Sequence, residues 1–140
     1  MDSNALMDRL FRASDLPSKD MSRTWHYTAA PSLTSFRSNE LTGKWCIFRD
    51  PGDVDGAWDI IKQLAETEQI LCAKVSTAVG RIRHPDHVIC VYTRDASNLP
   101  DVLASRGVLR AAGFSEELGY KRDIDTARRV YGADEWMLRA

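Results

Sequence analysis

The chain has 140 residues, with 19 basic and 20 acidic side chains. This near-neutral balance excludes a strong overall field that would gather DNA or an anionic membrane, so any anion site must be local. The length suits one domain with a substantial core. Because the chain lacks an apolar run of about 18 residues and a secretory signal, it is predicted to be cytoplasmic and not inserted in a membrane.

The first part of the chain is polar and is predicted to pack loosely. Residues 1 to about 40 are rich in Ser, Asp, Asn and Thr, which favours loose packing, and residues 1–22 are predicted to be a flexible N-terminal arm. Within it only the short stretch "ALMDRLF" has a helical pattern. Residues 23–140 are predicted to form a single α+β domain. This domain begins with a strand in "RTWHYTAA", where large and polar side chains alternate.

The pattern becomes more regular from residue 43. "GKWCIFRD" is predicted to be a strand that ends at the turn "DPGD", with Asp53 placed to cap the helix that follows. In that helix apolar side chains recur at steps of three and four residues, namely Val54, Trp58, Ile61 and Leu64. One face of the helix is therefore expected to pack against a sheet.

A hairpin with a basic tip is predicted in the middle of the chain. "ILCAKVSTA" and "HVICVYTRD" are strand patterns, and the loop "VGRIRHPD" between them is too short for a parallel crossover. "ASNLPDVLASRGVLRAAG" is a second helix, which Asn98 caps and Gly113 stops. A short strand "LGYKRD" and a last helix "DIDTARRVYG" follow. Because the two strands of the hairpin are joined by this short loop, the sheet must be at least partly antiparallel.

Lys74 and the hairpin tip are the first candidates for chemistry. Strand alternation places Lys74 and Ser76 on one face of the hairpin, with Arg81 and Arg83 only a loop away. Burial and neighbouring cations lower a lysine pKa, and the planar arginine groups match phosphate oxygens. The alternative is a lysine that extends from a sheet edge beside a solvated turn.

Other candidates are more scattered along the chain. His26 could be a general acid, or a histidine packed beside aromatic rings. Lys121 and Arg122 form a second basic pair next to a helix start. Tryptophans such as Trp45 either bury apolar area or stack on a nucleobase. Tyr92 lies on the returning strand of the hairpin and shares a face with Cys90.

Neither a metal site nor another cofactor is predicted. Cys46, Cys72 and Cys90 are odd in number, lack metal-like spacing and lie in apolar runs, which favours buried reduced thiols. His84 and His87 flank a turn at the hairpin, but no carboxylate or cysteine completes a ligand set at usable spacing. The sequence also contains no glycine-rich phosphate loop.

Several of these segments together resemble a known family. They are "GKWCIFRDPGDVDGAWDIIKQLA", "AKVST", "HVICVYTRD" and "YKRDIDT" with "YG" soon after, and they span roughly residues 40–132. As a set they resemble the basophilic-leukaemia-expressed protein family, whose bacterial and fungal members are often named phosphothreonine lyase domain proteins. The resemblance implies an α+β fold with a curved, mainly antiparallel sheet backed by two or three helices, similar to the messenger RNA cap-binding initiation factor.

A more distant resemblance is to bacterial effector phosphothreonine lyases, which remove phosphate by β-elimination. This resemblance implies that Lys74 abstracts the α-proton and that His26 protonates the leaving phosphate. Arg81 or Arg83 would hold the phosphate, and Arg122 with Lys121 beside it could hold it too. Tyr92 falls in the matching strand, and Tyr92 and Trp45 are expected to form walls of the site.

The leading hypothesis is a lyase-like protein that eliminates phosphate from a phosphorylated protein or peptide, without a cofactor. The alternative is a non-catalytic module that binds a nucleotide, a cap-like ligand or a phosphopeptide through tryptophan stacking and the same arginines. A purely structural interaction protein is the third hypothesis. The sequence leaves open whether the protein is an enzyme.

Overall fold

A computed structural model describes residues 12–127 and 136–140. Within these ranges the strands are β1 Trp25–Ala29, β2 Gly43–Arg49, β3 Cys72–Ser76, β4 His87–Thr93, β5 Gly119–Arg122 and β6 Leu138–Arg139. The helices are α1 Val54–Glu66, α2 Leu99–Ala111 and the short α3 Asp123–Ala127, with a 3-10 helix at Ala78–Ile82.

The strands of the described ranges form one sheet in the order β1-β3-β4-β2-β5-β6. Every neighbouring pair is antiparallel, including the predicted β3–β4 hairpin. This confirms the predicted α+β fold, a curved antiparallel sheet backed by helices. The order differs from the chain order because β2 inserts between β4 and β5, so the central pairings are far apart in sequence.

The core lies between the sheet and the helices, on what we call the helix face of the sheet. Its largest members are hardly exposed, and they include Trp45, Ile47, Trp58, Ile61, Ile89 and Val91. Each such side chain contributes about 1.5–3 kcal/mol through burial. The predicted apolar stripe of α1, from Val54 to Leu64, is buried. We call the opposite side the open face, because no long helix of the described ranges packs on it.

The helix ends agree with the sequence patterns at two of three predicted positions. Asn98 accepts a hydrogen bond from the Asp101 N–H at 3.3 Å and caps α2, and Gly113 ends α2 with a φ of +109°. Asp53 precedes α1 but its side chain makes no capping bond. Asp50 Oδ1 accepts from the Asp53 N–H at 2.9 Å, a bond within the turn that precedes the helix.

Part of the predicted flexible arm packs against the domain. Pro17, Ser18 and Asp20 are buried, the Ser18 N–H donates to Asp55 at 3.0 Å, and the Ala78 N–H donates to the Pro17 carbonyl at 2.9 Å. The polar side chains that suggested solvation thus form specific bonds. The helical pattern "ALMDRLF" and most of the last predicted helix lie outside the described residues.

Candidate binding site on the open face

Strand alternation arranges the side chains of the open face in rows that cross the strands. Opposite residues share a face, so one row comprises Tyr27, Lys74, Cys90 and Cys46. The next row comprises Ala29, Cys72, Tyr92, Lys44 and Lys121. The open face therefore combines aromatic rings, thiols and lysines, whereas the core on the helix face is mainly apolar.

A cavity of about 530 Å³ lies on this face, between β1, β3 and β4 and the segment of residues 33–38. Tyr27, Lys74 and Tyr92 line it from the sheet, and Phe36 lines it from the segment. The Phe36 and Tyr92 rings are 5.3 Å apart at 57°. This volume falls within the usual range for small-ligand pockets, and three aromatic side chains are among the residues that line the cavity.

Asp123 holds the segment over the sheet. The hydroxyls of Ser38 and Thr42 each donate to Asp123 Oδ2 at 2.6 Å, and Lys44 Nζ donates to Oδ1 at 2.9 Å. We call these four residues the Asp123 latch. Burial raises the pKa of Asp123, but the three hydrogen bonds outweigh it and hold the pKa below its usual value. The carboxylate therefore stays charged and fixes one wall of the cavity.

Lys74 is a lysine of the cavity wall that is open to a ligand. It is half-buried, and its Nζ lies 3.9 Å from the centre of the Trp25 ring. This is a cation–π contact, which orients an ammonium without neutralising it. Lys74 makes no hydrogen bond or ion pair with residues 12–127 or 136–140. An anion in the cavity would therefore meet a charged group held in position by a ring.

Tyr92 supplies a neutral phenol to the same cavity. Burial raises the pKa of Tyr92 well above its usual value, and the nearby thiols and Asp123 act in the same direction. Lys44 Nζ lies 5.8 Å from the centre of the ring. At physiological pH the ring therefore offers a π-face and a hydroxyl, and carries no charge of its own.

The structure does not bring His26 to Lys74. His26 lies opposite Val75 in the β1–β3 pairing, so it faces the helices while Lys74 faces the cavity. It is buried, and its Nε2 contacts Asp20 Oδ2 at 2.5 Å. Burial by itself raises the pKa of Asp20, but hydrogen bonds from Ser22, His26 and Arg23 outweigh it and hold that pKa far below its usual value. The predicted base and acid therefore lie on opposite sides of the sheet.

The predicted phosphate-binding residues are also dispersed. Arg81 and Arg83 are exposed at the hairpin tip, where Arg81 Nη2 donates to the Ser18 carbonyl at 2.8 Å, and neither lines the cavity. Arg122 pairs with Asp125 at 2.8 Å. Lys121 is on the open face, but its Nζ lies 5.6 Å from the centre of the Trp136 ring, away from the cavity walls.

Trp45 does not form a wall of the cavity. It is fully buried on the helix face, where its Nε1 donates to the Val102 carbonyl at 3.0 Å. Trp25, which contacts Lys74 on the open face, was not among the predicted site residues. The alternation in "RTWHYTAA" could have identified Trp25 and Tyr27, since both point away from His26. Phe36 follows no periodic pattern, so nothing in the sequence points to it.

Two further observations concern the described part of the chain. No group of three or more His, Cys, Asp or Glu side chains there could hold a metal ion. No helix in those ranges has the length and apolar character needed to cross a membrane.

Solved structures of cap-binding initiation factors share this fold. The chain is similar to C. elegans eIF4E-3 in complex with the 4E-binding protein Mextli and a cap analog, with a TM-score of 0.67, 17% identity, and coverage of 100% of this chain and 82% of that chain. Ascaris suum eIF4E-3 with m2,2,7G cap has a TM-score of 0.64 and 15% identity, with 99% and 81% covered. Schistosome eIF4E with m7GpppA and 4E-BP has a TM-score of 0.65 and 16% identity, with 99% and 81% covered.

At these identities the similarity shows the fold alone, and it confirms the predicted likeness to the cap-binding initiation factor. A family model gives the closer assignment. The model described as basophilic leukemia-expressed protein Bles03 matches residues 34–124, a range that contains β2 to β5 and both Lys74 and Tyr92. The match covers well over half of the chain and agrees with the resemblance found in the sequence. The chain therefore belongs to the basophilic leukemia-expressed protein Bles03 family.

Proposed function

We propose that this protein is a non-catalytic module that binds a nucleotide in the open-face cavity. The observation that carries the proposal is the composition of that cavity, where Tyr27, Phe36 and Tyr92 surround a space of about 530 Å³ and Lys74 stands at its wall. A nucleotide needs a π-face for its base and a cation for its phosphate. Both are offered within one cavity.

The energetics favour stacking as the main source of affinity. Stacking of a base on an aromatic side chain contributes about 1–3 kcal/mol. The Asp123 latch holds the segment that carries Phe36, so less ordering is required when the ligand enters. Lys74 adds charge for the phosphate and is already oriented by Trp25. The names of the ligands in the similar structures, a cap analog and an m2,2,7G cap, support the same chemical class for this chain.

The placement of Lys74 and His26 supports binding over elimination. A β-elimination needs a base at the α-proton and a group that neutralises the leaving phosphate. Lys74 could serve as the base, but His26 is buried behind the sheet in contact with Asp20. Arg81, Arg83 and Arg122 stand apart from the cavity walls. The lyase hypothesis therefore lacks an acid and a phosphate clamp near Lys74.

A titration of ligand binding by calorimetry and tryptophan fluorescence tests the proposal. The ligands are the four nucleoside monophosphates, 7-methylguanosine triphosphate, guanosine without phosphate, and inorganic phosphate. We expect at least one nucleotide to bind and to change the emission of Trp25, and the nucleoside and phosphate to bind more weakly. Lys74→Ala should weaken nucleotide binding about tenfold, which corresponds to about 1.4 kcal/mol, and leave nucleoside binding nearly unchanged.

Lys62→Ala provides the matched control. Lys62 is a partly exposed lysine of α1 that pairs with Asp59 on the helix side of the domain, so its loss should not affect the titration. Failure of every nucleotide to bind at millimolar concentration would refute the proposal. Conversion of a phosphothreonine peptide to its dehydro product, dependent on Lys74, would restore the lyase hypothesis in its place.

A further inference from the structure

Cys46 and Cys90 lie directly opposite each other at the centre of the sheet, in the β2–β4 pairing. In an antiparallel pair, opposite residues have Cα atoms about 4.5–5.5 Å apart. A disulfide requires a Cα separation of about 4.4–6.8 Å. Both side chains point to the open face, and both are buried. The backbone separation expected for this pair is therefore compatible with a disulfide.

The surroundings of the pair favour a thiolate. The neighbouring Cys46 thiol lowers the pKa of Cys90. Burial raises that pKa, and the nearby positive charges of Lys44 and Lys74 lower it further. Lys74 lies directly opposite Cys90 in the β3–β4 pairing. Thiolates are the reactive form of cysteine in oxidation. The neighbouring Cys90 and burial raise the pKa of Cys46, so Cys90 is the sulfur of the pair that its surroundings favour as the thiolate.

A small oxidant can reach the pair from the side away from the ligand cavity. Cys46 lines a second cavity of about 280 Å³, together with Phe48, Gly119 and Trp136. This cavity is large enough to admit hydrogen peroxide, whereas the low exposure of both cysteines excludes bulky reagents. The cavity therefore gives access to the pair through Cys46, directly opposite Cys90.

We propose that Cys46 and Cys90 are an oxidative modification site, which hydrogen peroxide converts to an intramolecular disulfide and a thiol reductant restores. The thiolate of the pair attacks one peroxide oxygen, the O–O bond breaks, and hydroxide leaves and becomes water on protonation. The resulting sulfenic acid is attacked by the other sulfur, which forms the S–S bond. The S–O bond breaks, and the hydroxide takes the proton of the second thiol. The two cysteines lose two electrons, and one peroxide is reduced to two waters.

Cys72 provides an internal comparison on the same face. It lies opposite Tyr92 and is only a diagonal neighbour of Cys90, and diagonal neighbours in a sheet are about 7–8 Å apart. That separation is too large for a disulfide. Burial also raises the pKa of Cys72 to about 11. Cys72 should therefore remain a thiol under conditions that oxidise the other two.

Peptide mapping of the full chain tests the site. The folded protein is treated with hydrogen peroxide, denatured, alkylated with N-ethylmaleimide and digested with trypsin. Cleavage after lysine and arginine places the three cysteines in separate peptides, which are 45–49, 63–74 and 84–94. We expect a disulfide between 45–49 and 84–94, a labelled 63–74, and loss of the crosslink after treatment with dithiothreitol.

Two variants complete the test. Cys72→Ser should leave the crosslink unchanged, and Cys46→Ser should abolish it. Three labelled cysteines after peroxide treatment of the folded wild-type chain would overturn the proposal, as would a crosslink through Cys72 or between two chains. Because the peptide map of the wild-type chain is decisive by itself, a folding defect in a variant would not change the conclusion about the disulfide.

Discussion

In this protein, neighbouring residues of a strand face the cavity and the core in turn. Lys74 lines the cavity and carries its charge, while its neighbour Val75 is fully buried among the core side chains. A step of one residue likewise separates Tyr27 from His26. Because side chains alternate strictly along a strand, a one-residue slip of β1 or β3 would exchange the two sets. The role of each residue is thus determined by register more than by its chemistry.

Gly43 is a position where the register depends on the absence of a side chain. A Cβ there would collide with the Tyr120 ring and hydroxyl, and that hydroxyl is hydrogen-bonded to Thr93 at 2.6 Å inside the core. Gly43→Ala should therefore lower the free energy of unfolding by about 1–3 kcal/mol. Urea denaturation followed by tryptophan fluorescence measures the change.

Gly56→Ala is the matched control for that substitution. Gly56 is exposed in α1, and a Cβ there meets no atom within 4 Å. Alanine is the better helix former by about 0.5–1 kcal/mol, so this variant should be more stable than the wild type. Equal effects of the two substitutions would contradict the steric explanation.

At the scale of elements, the Asp123 latch connects the start of α3 to the segment before β2. Its carboxylate is buried and bonded to Ser38, Thr42 and Lys44. Because the folded pKa lies below the unfolded value of about 3.9, the latch stabilises the fold fully above that pH. Its contribution is lost as the pH falls through the folded pKa. The latch is thus an acid-sensitive tie between two elements.

Asp123→Asn should remove that dependence. At neutral pH we expect the variant to be less stable by about 3 kcal/mol, since it leaves the buried Lys44 without a counterion. The difference from the wild type should shrink as the pH is lowered below about 4. Denaturant unfolding from pH 7 to pH 2 measures it, with Asp59→Asn on the exposed side of α1 as the control. A difference that grows on acidification would contradict the latch.

Asp20 holds the segment that precedes β1 by hydrogen bonds, as Asp123 does for the segment before β2. It is fully buried and accepts hydrogen bonds from the Ser22 N–H at 2.8 Å and from Arg23 Nε at 2.9 Å, besides its contact with His26. Asp20→Ala leaves these donors unpaired and should speed amide hydrogen exchange over residues 17–26 by at least tenfold. Asp15→Ala, at an exposed position, should leave the exchange unchanged. Equal protection in both variants would show that packing alone holds the segment.

For the whole molecule, the local patterns predicted the elements but not their assembly. Alternation placed Lys74 with Ser76 and Tyr92 with Cys90, and the caps at Asn98 and Gly113 were visible as residue types, but only the β3–β4 register shows that Lys74 and Tyr92 share a face. The insertion of β2 between β4 and β5 depends on long-range pairing, which short windows of sequence do not encode. For the same reason the contact of His26 with Asp20 and the position of Phe36 over Tyr92 could not be predicted.

Binding to the open face should stabilise the entire fold, because the cavity is assembled from β1, β3, β4 and a segment that the Asp123 latch ties to α3. A ligand at 100 times its dissociation constant adds about 2.7 kcal/mol to the free energy of unfolding. For a domain of this length that corresponds to a rise in Tm of about 9 °C. Differential scanning fluorimetry with increasing nucleotide measures the rise. It should depend on the logarithm of the ligand concentration and be reduced in Lys74→Ala, and a rise of equal size with inorganic phosphate alone would show that the aromatic walls do not take part.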